Sequence, residues 1–410
     1  MPGGDAGQLG DRFLRLWSAA TVSAAGDGLR QTALPLLAAA ATRDPRAVAL
    51  VTAAGFAPWP LLGLLGGAIA DRVDRRSAMW VIDAGRGALM AGFAVLVGTL
   101  GVPVAALAGL AFLLGAAETV FDNAATALLP SLVAPTWLPA ANSRLMTSQT
   151  LAGELVGPPL AGLLFGISAS VPLALDAVSF LVAALLVATL GGCHLNSPAE
   201  ATPVISRWSG LGTGIRQGLG WLWHEPVLRT LTVVIAVLGA VSGALLALLV
   251  LYVQQVLGLG SAGYGTLFSC YALGGVAGAL GSPWLLRHRP SGHLLLAAVI
   301  TAGVAFTGLG VTSRPVVAGV ALGVFGVSVG LWNVTVTTLR QTLVPDGLLG
   351  RVSSAYRTIA LTFTTAGAGV AGLTANSIGI PATLIGCAAL VGVLTATLGH
   401  RLAAATTIAG

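Results

Sequence analysis

Apolar stretches long enough to cross a bilayer follow one another along this chain almost without interruption. A crossing helix takes roughly twenty mainly apolar residues. Such stretches are predicted at 14–41, 47–70, 77–100, 103–131, 142–167 and 171–191, then at 227–253, 262–286, 292–312, 315–342, 352–376 and 381–404. Residues 192–226 form the one long hydrophilic break between them. Charged residues are only 8% of the chain, where a water-facing domain carries about a quarter. Abundant Gly lets membrane helices approach closely, because packing rather than water exclusion drives their association. The predicted fold class is therefore all-α integral membrane, with 12 transmembrane helices in two six-helix bundles. The first bundle is predicted over 1–191, a linker over 192–226 and the second bundle over 227–410.

Orientation follows from the arginines, since cytoplasmic loops collect positive charge. All 20 basic residues are Arg. With the N-terminus in the cytoplasm, Arg43, Arg46 and Arg314 fall outside, Arg30 lies within the first span, and all the others, Arg86 among them, fall at inner helix ends. Both termini are predicted in the cytoplasm of a multi-pass protein of the cell (plasma) membrane. The net charge of +6 then has a topological cause, and no nucleic-acid partner is expected. Cys193, Cys270 and Cys387 have neither disulfide nor metal spacing, so no metal and no cofactor are expected. The polar run 1–13 leads into a long span rather than a short apolar run, and no cleaved signal peptide is predicted. In the linker, Trp208, Leu211, Ile215, Leu219 and Leu222 recur at helical spacing. They predict an amphipathic helix on the membrane surface that tethers the halves.

Two motifs are specific. Residues 67–76 read GAIADRVDRR, placing Gly67, Asp71, Arg72, Arg75 and Arg76 in the loop after the second span. This loop resembles the signature that major facilitator transporters carry between helices two and three, with Asp74 where that family usually has Gly. Residues 153–162 read GELVGPPLAG, with Gly153, Gly157, Pro158 and Gly162 in the fifth span. That run resembles the Gly- and Pro-containing motif of exporter branches, with Ala161 in place of the usual Gly. Gly274, Gly275, Gly278 and Gly281 of the eighth span are expected to pack against it. Shorter matches resemble the bacterial multidrug, macrolide and siderophore exporters: Gly26, Asp27 and Gly28; Phe121, Asp122 and Asn123; and Asp176 through Phe180. The arginine that many proton-coupled relatives carry in helix four is missing from this chain's fourth span. The resemblance implies a cytoplasmic gate in which Asp122 is linked to Arg75.

Ionisable groups inside a membrane are costly and mark function by default. Asp27, Asp83, Glu118, Asp122, Glu154 and Asp176 all lie in the first half, and beyond Glu225 the only acid is Asp346. Glu118 lies roughly 22 Å below the outer end of its helix, with no evident basic partner. It ranks first as a proton carrier, followed by Asp27 and Glu154. Asp27 and Arg30, three residues apart, pair with each other in the alternative reading, as do Asp83 and Arg86. Asp176 sits near the outer boundary and is expected to be solvated or structural. Arg30, Trp332 and Asn333 are candidates to line a substrate cavity, with aromatic packing the alternative for Trp332.

No Ser/His/Asp cluster, metal-ligand spacing or phosphate loop is present, and a chain without Lys has no P-loop lysine. An enzyme is not expected. The sequence points to a proton-coupled, alternating-access exporter of lipophilic or amphipathic small molecules in the drug, macrolide or siderophore class. Its partners would be that small molecule, protons and the lipid bilayer, and it would act as a monomer. The alternatives are a metabolite importer or uniporter of the same fold, and a membrane receptor or structural protein that transports nothing.

Overall fold

The computed structural model describes residues 10–60, 62, 75–190, 217 and 219–404. The first half supplies α1 (Asp11–Ala41), α2 (Pro45–Phe56), α3 (Arg75–Thr99), α4 (Val104–Leu132) and α6 (Ser170–Ala188). Between the last two runs α5, composed of Leu138–Gln149, a π-helical stretch Thr150–Val156, and Gly157–Ile167. The second half supplies α7 (Pro226–Leu251), α8 (Ser261–His288), α9 (Ser291–Val311), α10 (Pro315–Leu343), α11 (Asp346–Ile378) and α12 (Ile380–Ala404).

Among the described residues, nine helices are long and apolar enough to cross a membrane. The 31-residue α1 and the 28-residue α8 are not among the nine. Charged residues dilute the apolar character of α1, and Gly and Ser dilute that of α8. The second predicted span begins as α2, and its continuation through 63–70 lies outside the described residues. So do Trp208, Leu211 and Ile215 of the predicted linker helix.

Helix ends follow local chemistry. Asp44 caps α2 by accepting from the Arg46 backbone N–H at 2.9 Å, and the Arg46 guanidinium holds its carboxyl below the ordinary range. Pro45 takes the first helical turn, where its missing N–H is harmless. In α5, Pro158 and Pro159 offer no N–H to the carbonyls of Glu154 and Leu155. The helix widens just before them, and the Gly157 N–H reaches back to the Ala152 carbonyl. Such π-bulges collect at functional sites, and Glu154 sits inside this one.

Within the first half α3 packs on α6, α2 on α4 and α1 on α5. The pairings recur six helices later, with α9 on α12, α8 on α10 and α7 on α11. The halves meet through α2 against α11 and α5 against α8. These seams lie toward the face opposite the arginine-rich loops. Gly372 of α11 abuts Pro45, Arg46 and Ala49 at the start of α2. Gly162 of α5 abuts Ser261 and Gly265 at the start of α8.

The glycine run of α8 is not the partner of α5 that its composition predicts. Gly274 packs on Gly323 of α10, and Gly278 packs on Val327 of the same helix. Gly265 is the α8 glycine that faces α5, against the Pro158 carbonyl. Gly265 and Gly274, nine residues apart, lie on opposite faces of α8, one toward the neighbouring bundle and one toward its own.

Candidate functional site

The first half buries a network of opposite charges, built by side chains from α1, α3, α4 and α6. Asp27 is three residues before Arg30 on one turn of α1, and the two pair at 2.7 Å. The same Arg30 Nη2 donates to Glu118 Oε2 of α4 at 3.0 Å. Arg86 of α3 donates to the same Asp27 oxygen at 2.7 Å and lies 3.4 Å from Asp83 on its own helix. Its guanidinium rests 4.0 Å over the ring of Phe180 in α6, a cation–π contact made in place of hydration. Asp27 is thus clamped by two guanidinium groups from two helices.

Several sequence-based expectations change here. Glu118 is not without a basic partner, because Arg30 reaches it from α1 at 3.0 Å. Arg86 is not an interfacial residue of the positive-inside set. It is buried at 3% exposure, because its chain position eleven residues into α3 carries it to mid-helix. Asp83 and Asp176 are likewise sealed, both at 0% exposure. Asp176 is therefore not solvated. The (i, i+3) pairing of Asp83 with Arg86 is present, but Arg86 was not among the candidate site residues, because its link to Asp27 crosses between helices.

A cavity of about 290 Å³ lies against this network, at the small end of ligand-sized pockets. Asp27, Glu118, Asp122 and Glu154 contribute carboxylates to its wall, and Gln31 and Gln149 contribute amides. Phe121 and Met146 supply apolar surface. Glu154 is exposed, and among the described residues it forms no ion pair. Arg30 does not line this cavity. It lies behind the wall at 5% exposure and holds two wall residues in place.

The exporter-type motif divides between two contacts. Gly153 and Gly157 press on α1, where a Cβ at Gly157 would lie 2.7 Å from Gly28 Cα. Pro158 and Gly162 press on α8 of the other bundle. Trp332 is not a cavity residue: it is 2% exposed, and its indole N–H donates to the Tyr356 hydroxyl at 3.2 Å inside the second bundle. Asn333, its neighbour, is exposed.

Of the gate signature, Gly67, Asp71 and Arg72 lie outside the described residues, as does the side chain of Arg75. The expected Asp122–Arg75 link falls there too. Arg76 donates to the last carbonyls of α6, those of Val187 and Ala188, and so neutralises the negative end of that helix. Asp122 lies 3.9 Å from Arg357 of α11, and Arg357 stacks 4.2 Å over Trp59. This contact joins the two bundles on the arginine-rich side. Both ions are half-exposed, so the pair is worth no more than about 1 kcal/mol. Arg357→Ala is expected to shift the balance between conformations only a few-fold. A larger shift in inter-bundle distances by spin-label spectroscopy would show the contact to be stronger than its exposure allows.

The whole chain then finds its relatives. Residues 9–408 match the Transmembrane secretion effector family of major facilitator proteins. The chain belongs to that family. The chain is 29% identical over 389 residues to the multidrug efflux pump Tap of Mycobacterium tuberculosis (strain ATCC 25618 / H37Rv), across 92% of the chain and 90% of the pump. It is 27% identical over 383 residues to the pump of the same name from Mycolicibacterium fortuitum, across 91% of both. Among solved structures, a bacterial homologue of the iron transporter ferroportin in an inward-facing state superimposes with a TM-score of 0.72 at 19% identity, covering 95% of this chain and 99% of that one. The nucleoside transporter NupG superimposes at 0.71 with 13% identity, over 97% and 100%. At such identities the likeness establishes the fold. The family member is thus a major facilitator membrane transporter similar to multidrug exporters, and not an enzyme.

Proposed function

We propose that this transporter exports lipophilic or amphipathic small molecules of the drug, macrolide or siderophore class, in exchange for protons, by alternating access. The observation that carries this reading is the acidic cavity beside the buried network. Carboxylates that face a cavity and are backed by guanidinium groups can trade a proton for a ligand, since membrane-buried acids are the usual groups of proton relays. Glu154, which forms no ion pair among the described residues, adds an acid to a wall that also carries Phe121 and Met146, and this suits an amphipathic, positively charged substrate.

The bias of the arginines assigns their face to the cytoplasm of a plasma membrane, with both termini there. The units are a first bundle over 1–191, a linker over 192–226 and a second bundle over 227–410, and a single chain supplies both. The seams of α2 with α11 and α5 with α8 then close the outer side, and the cavity is served from within. The likeness to pumps named for multidrug efflux supports export over import.

The test is proton flux in proteoliposomes. A pH gradient is imposed, and its collapse is followed as dyes, macrolides and siderophores are added one at a time. Collapse driven by particular compounds is expected. Glu154→Gln is expected to raise the KM for cationic substrates about tenfold, the loss of one charge-assisted contact, with neutral substrates affected less. Silence across the panel with folded protein, or uptake favoured over extrusion in whole cells, would favour the importer or uniporter reading.

A further inference from the structure

We infer that Asp176 of α6 is a proton-binding site of this transporter, the sealed inner member of a carboxyl pair whose outer member is Asp27. The inference rests on the coupling reading above. Asp176 has 0% exposure, and its Oδ2 is buried without a hydrogen-bond partner. Among the described residues, its Oδ1 is approached only by the Ser179 hydroxyl of its own helix, at 3.5 Å. Among the described residues no cation lies within ion-pair distance of it. Asp83 differs on this point: it is equally sealed, but Arg86 lies 3.4 Å away. An ionised carboxylate sealed from water with one long hydroxyl contact and no paired cation is among the costliest groups a protein can hold, and such a site favours the neutral acid.

The charge count agrees. Two guanidinium groups, Arg30 and Arg86, face four carboxyl groups: Asp27 on α1, Asp83 on α3, Glu118 on α4 and Asp176 on α6. The groups that act electrostatically on Asp176 are Asp27 and Arg30 from α1 and Arg86 from α3. Arg30 and Arg86 each keep a buried Nε without an acceptor. Unused acceptors on Asp83 and Asp176 and unused donors on Arg30 and Arg86 thus occur within one network.

Gly26 makes the closeness possible. A Cβ at that position would collide with the Asp176 carboxyl and the Ser179 hydroxyl. The backbone of α1 lies directly on the acid, one residue before Asp27.

The exchange balances simply. The proton leaves an Asp176 oxygen, the O–H electron pair stays on Asp176, and the proton ends on Asp27, which reaches the cavity. Neutral Asp27 releases the guanidinium groups that clamp it, and they turn to the new carboxylate on Asp176. Total charge is unchanged, and what moves is the position of Arg30 and Arg86 between α1 and α6.

The experiment pairs infrared spectroscopy of the reconstituted protein with proton-driven transport, for the wild type and Asp176→Asn. The amide is close in size to the neutral acid, so Asp176→Asn is expected to fold with unchanged thermal stability. The wild type is expected to show a protonated-carboxyl band at neutral pH that is missing from the variant, and transport in the variant is expected to lose its dependence on the pH gradient. A wild type without that band overturns the inference whether or not the variant folds. So does a folded variant whose transport still follows the gradient, and this outcome leaves the coupling reading standing. If the wild type itself moves no protons, the coupling reading fails first, and Asp176 loses its role with it.

Discussion

Replacing Arg30 by methionine is expected to abolish transport and to destabilise the first bundle by about 3 kcal/mol. Methionine keeps much of the side chain's apolar length and removes its charge and donors. Asp27 and Glu118 then lose the guanidinium that holds them at 2.7 and 3.0 Å. Breaking a buried ion pair by deleting one partner costs about 3–5 kcal/mol, because the other charge stays behind uncompensated. The low end applies because Asp27 keeps Arg86 and both carboxylates are in partial contact with the cavity. The double variant Arg30→Met with Glu118→Gln should recover part of the stability, since one stranded charge is gone. It should not recover transport. Thermal unfolding in lipid nanodiscs and substrate efflux from vesicles read the two effects separately. If the single variant matches the wild type in both, the network is not what holds α1 to α4.

Arg30→Lys separates charge from geometry. Lysine brings a compact point charge on a shorter reach, whereas the guanidinium serves two acids from one rigid plane. Lysine is expected to keep most of the stability and little of the transport.

How much of this network could be read from the sequence depends on which force places each residue. The spans were legible because a bilayer imposes a length and a polarity on every segment, and α3, α4, α6 and α9 begin and end within a few residues of the predicted limits. The acids confined to the first half were legible as a list, since each is visible in an apolar run. Their pairing was not. Asp27 with Arg30 is a local (i, i+3) contact and was among the readings the sequence offered. Arg30 with Glu118 joins residues 88 apart, and Arg86 with Asp27 joins residues 59 apart. Those contacts depend on the rotation of each helix about its own axis, which hydropathy does not fix when every face is apolar.

Depth along a helix does not report burial inside the protein. Asp176 is only six residues from the start of α6, roughly 9 Å along the axis, and looks like a boundary residue. It is sealed because Gly26 lets α1 lie against it. The two motifs fared differently. The exporter-type run kept its meaning as a packing seam, although its bare faces serve α1 as well as α8. Trp332 was ambiguous in the sequence, and the Tyr356 hydroxyl, 24 residues on, is what draws it inward.

That double use of the α5 glycines gives the second large effect, because one substitution strains a single state and the other strains the bundle itself. Gly162 faces Ser261 and Gly265 across the seam between bundles, where no room exists for a Cβ. If the proposed alternating access opens along this seam, a methyl group at 162 burdens only the conformation in which it is closed. Overpacking of this kind costs about 1–3 kcal/mol, which is roughly a 5- to 150-fold change in the ratio of the two states. Gly162→Ala is therefore expected to open the face opposite the arginine-rich loops. Spin labels on Arg43 and Asn376, beyond the two sides of the α2–α11 seam, should move apart in a large part of the population. Gly157→Ala should behave differently: its Cβ would lie 2.7 Å from Gly28 Cα inside the first bundle, a contact present whichever face is open. It should lower the unfolding temperature and leave the label distances unchanged. Equal distance changes in both variants, or none in Gly162→Ala, would mean that α5 and α8 do not separate during transport. The bundles would then pivot about this seam instead of opening along it.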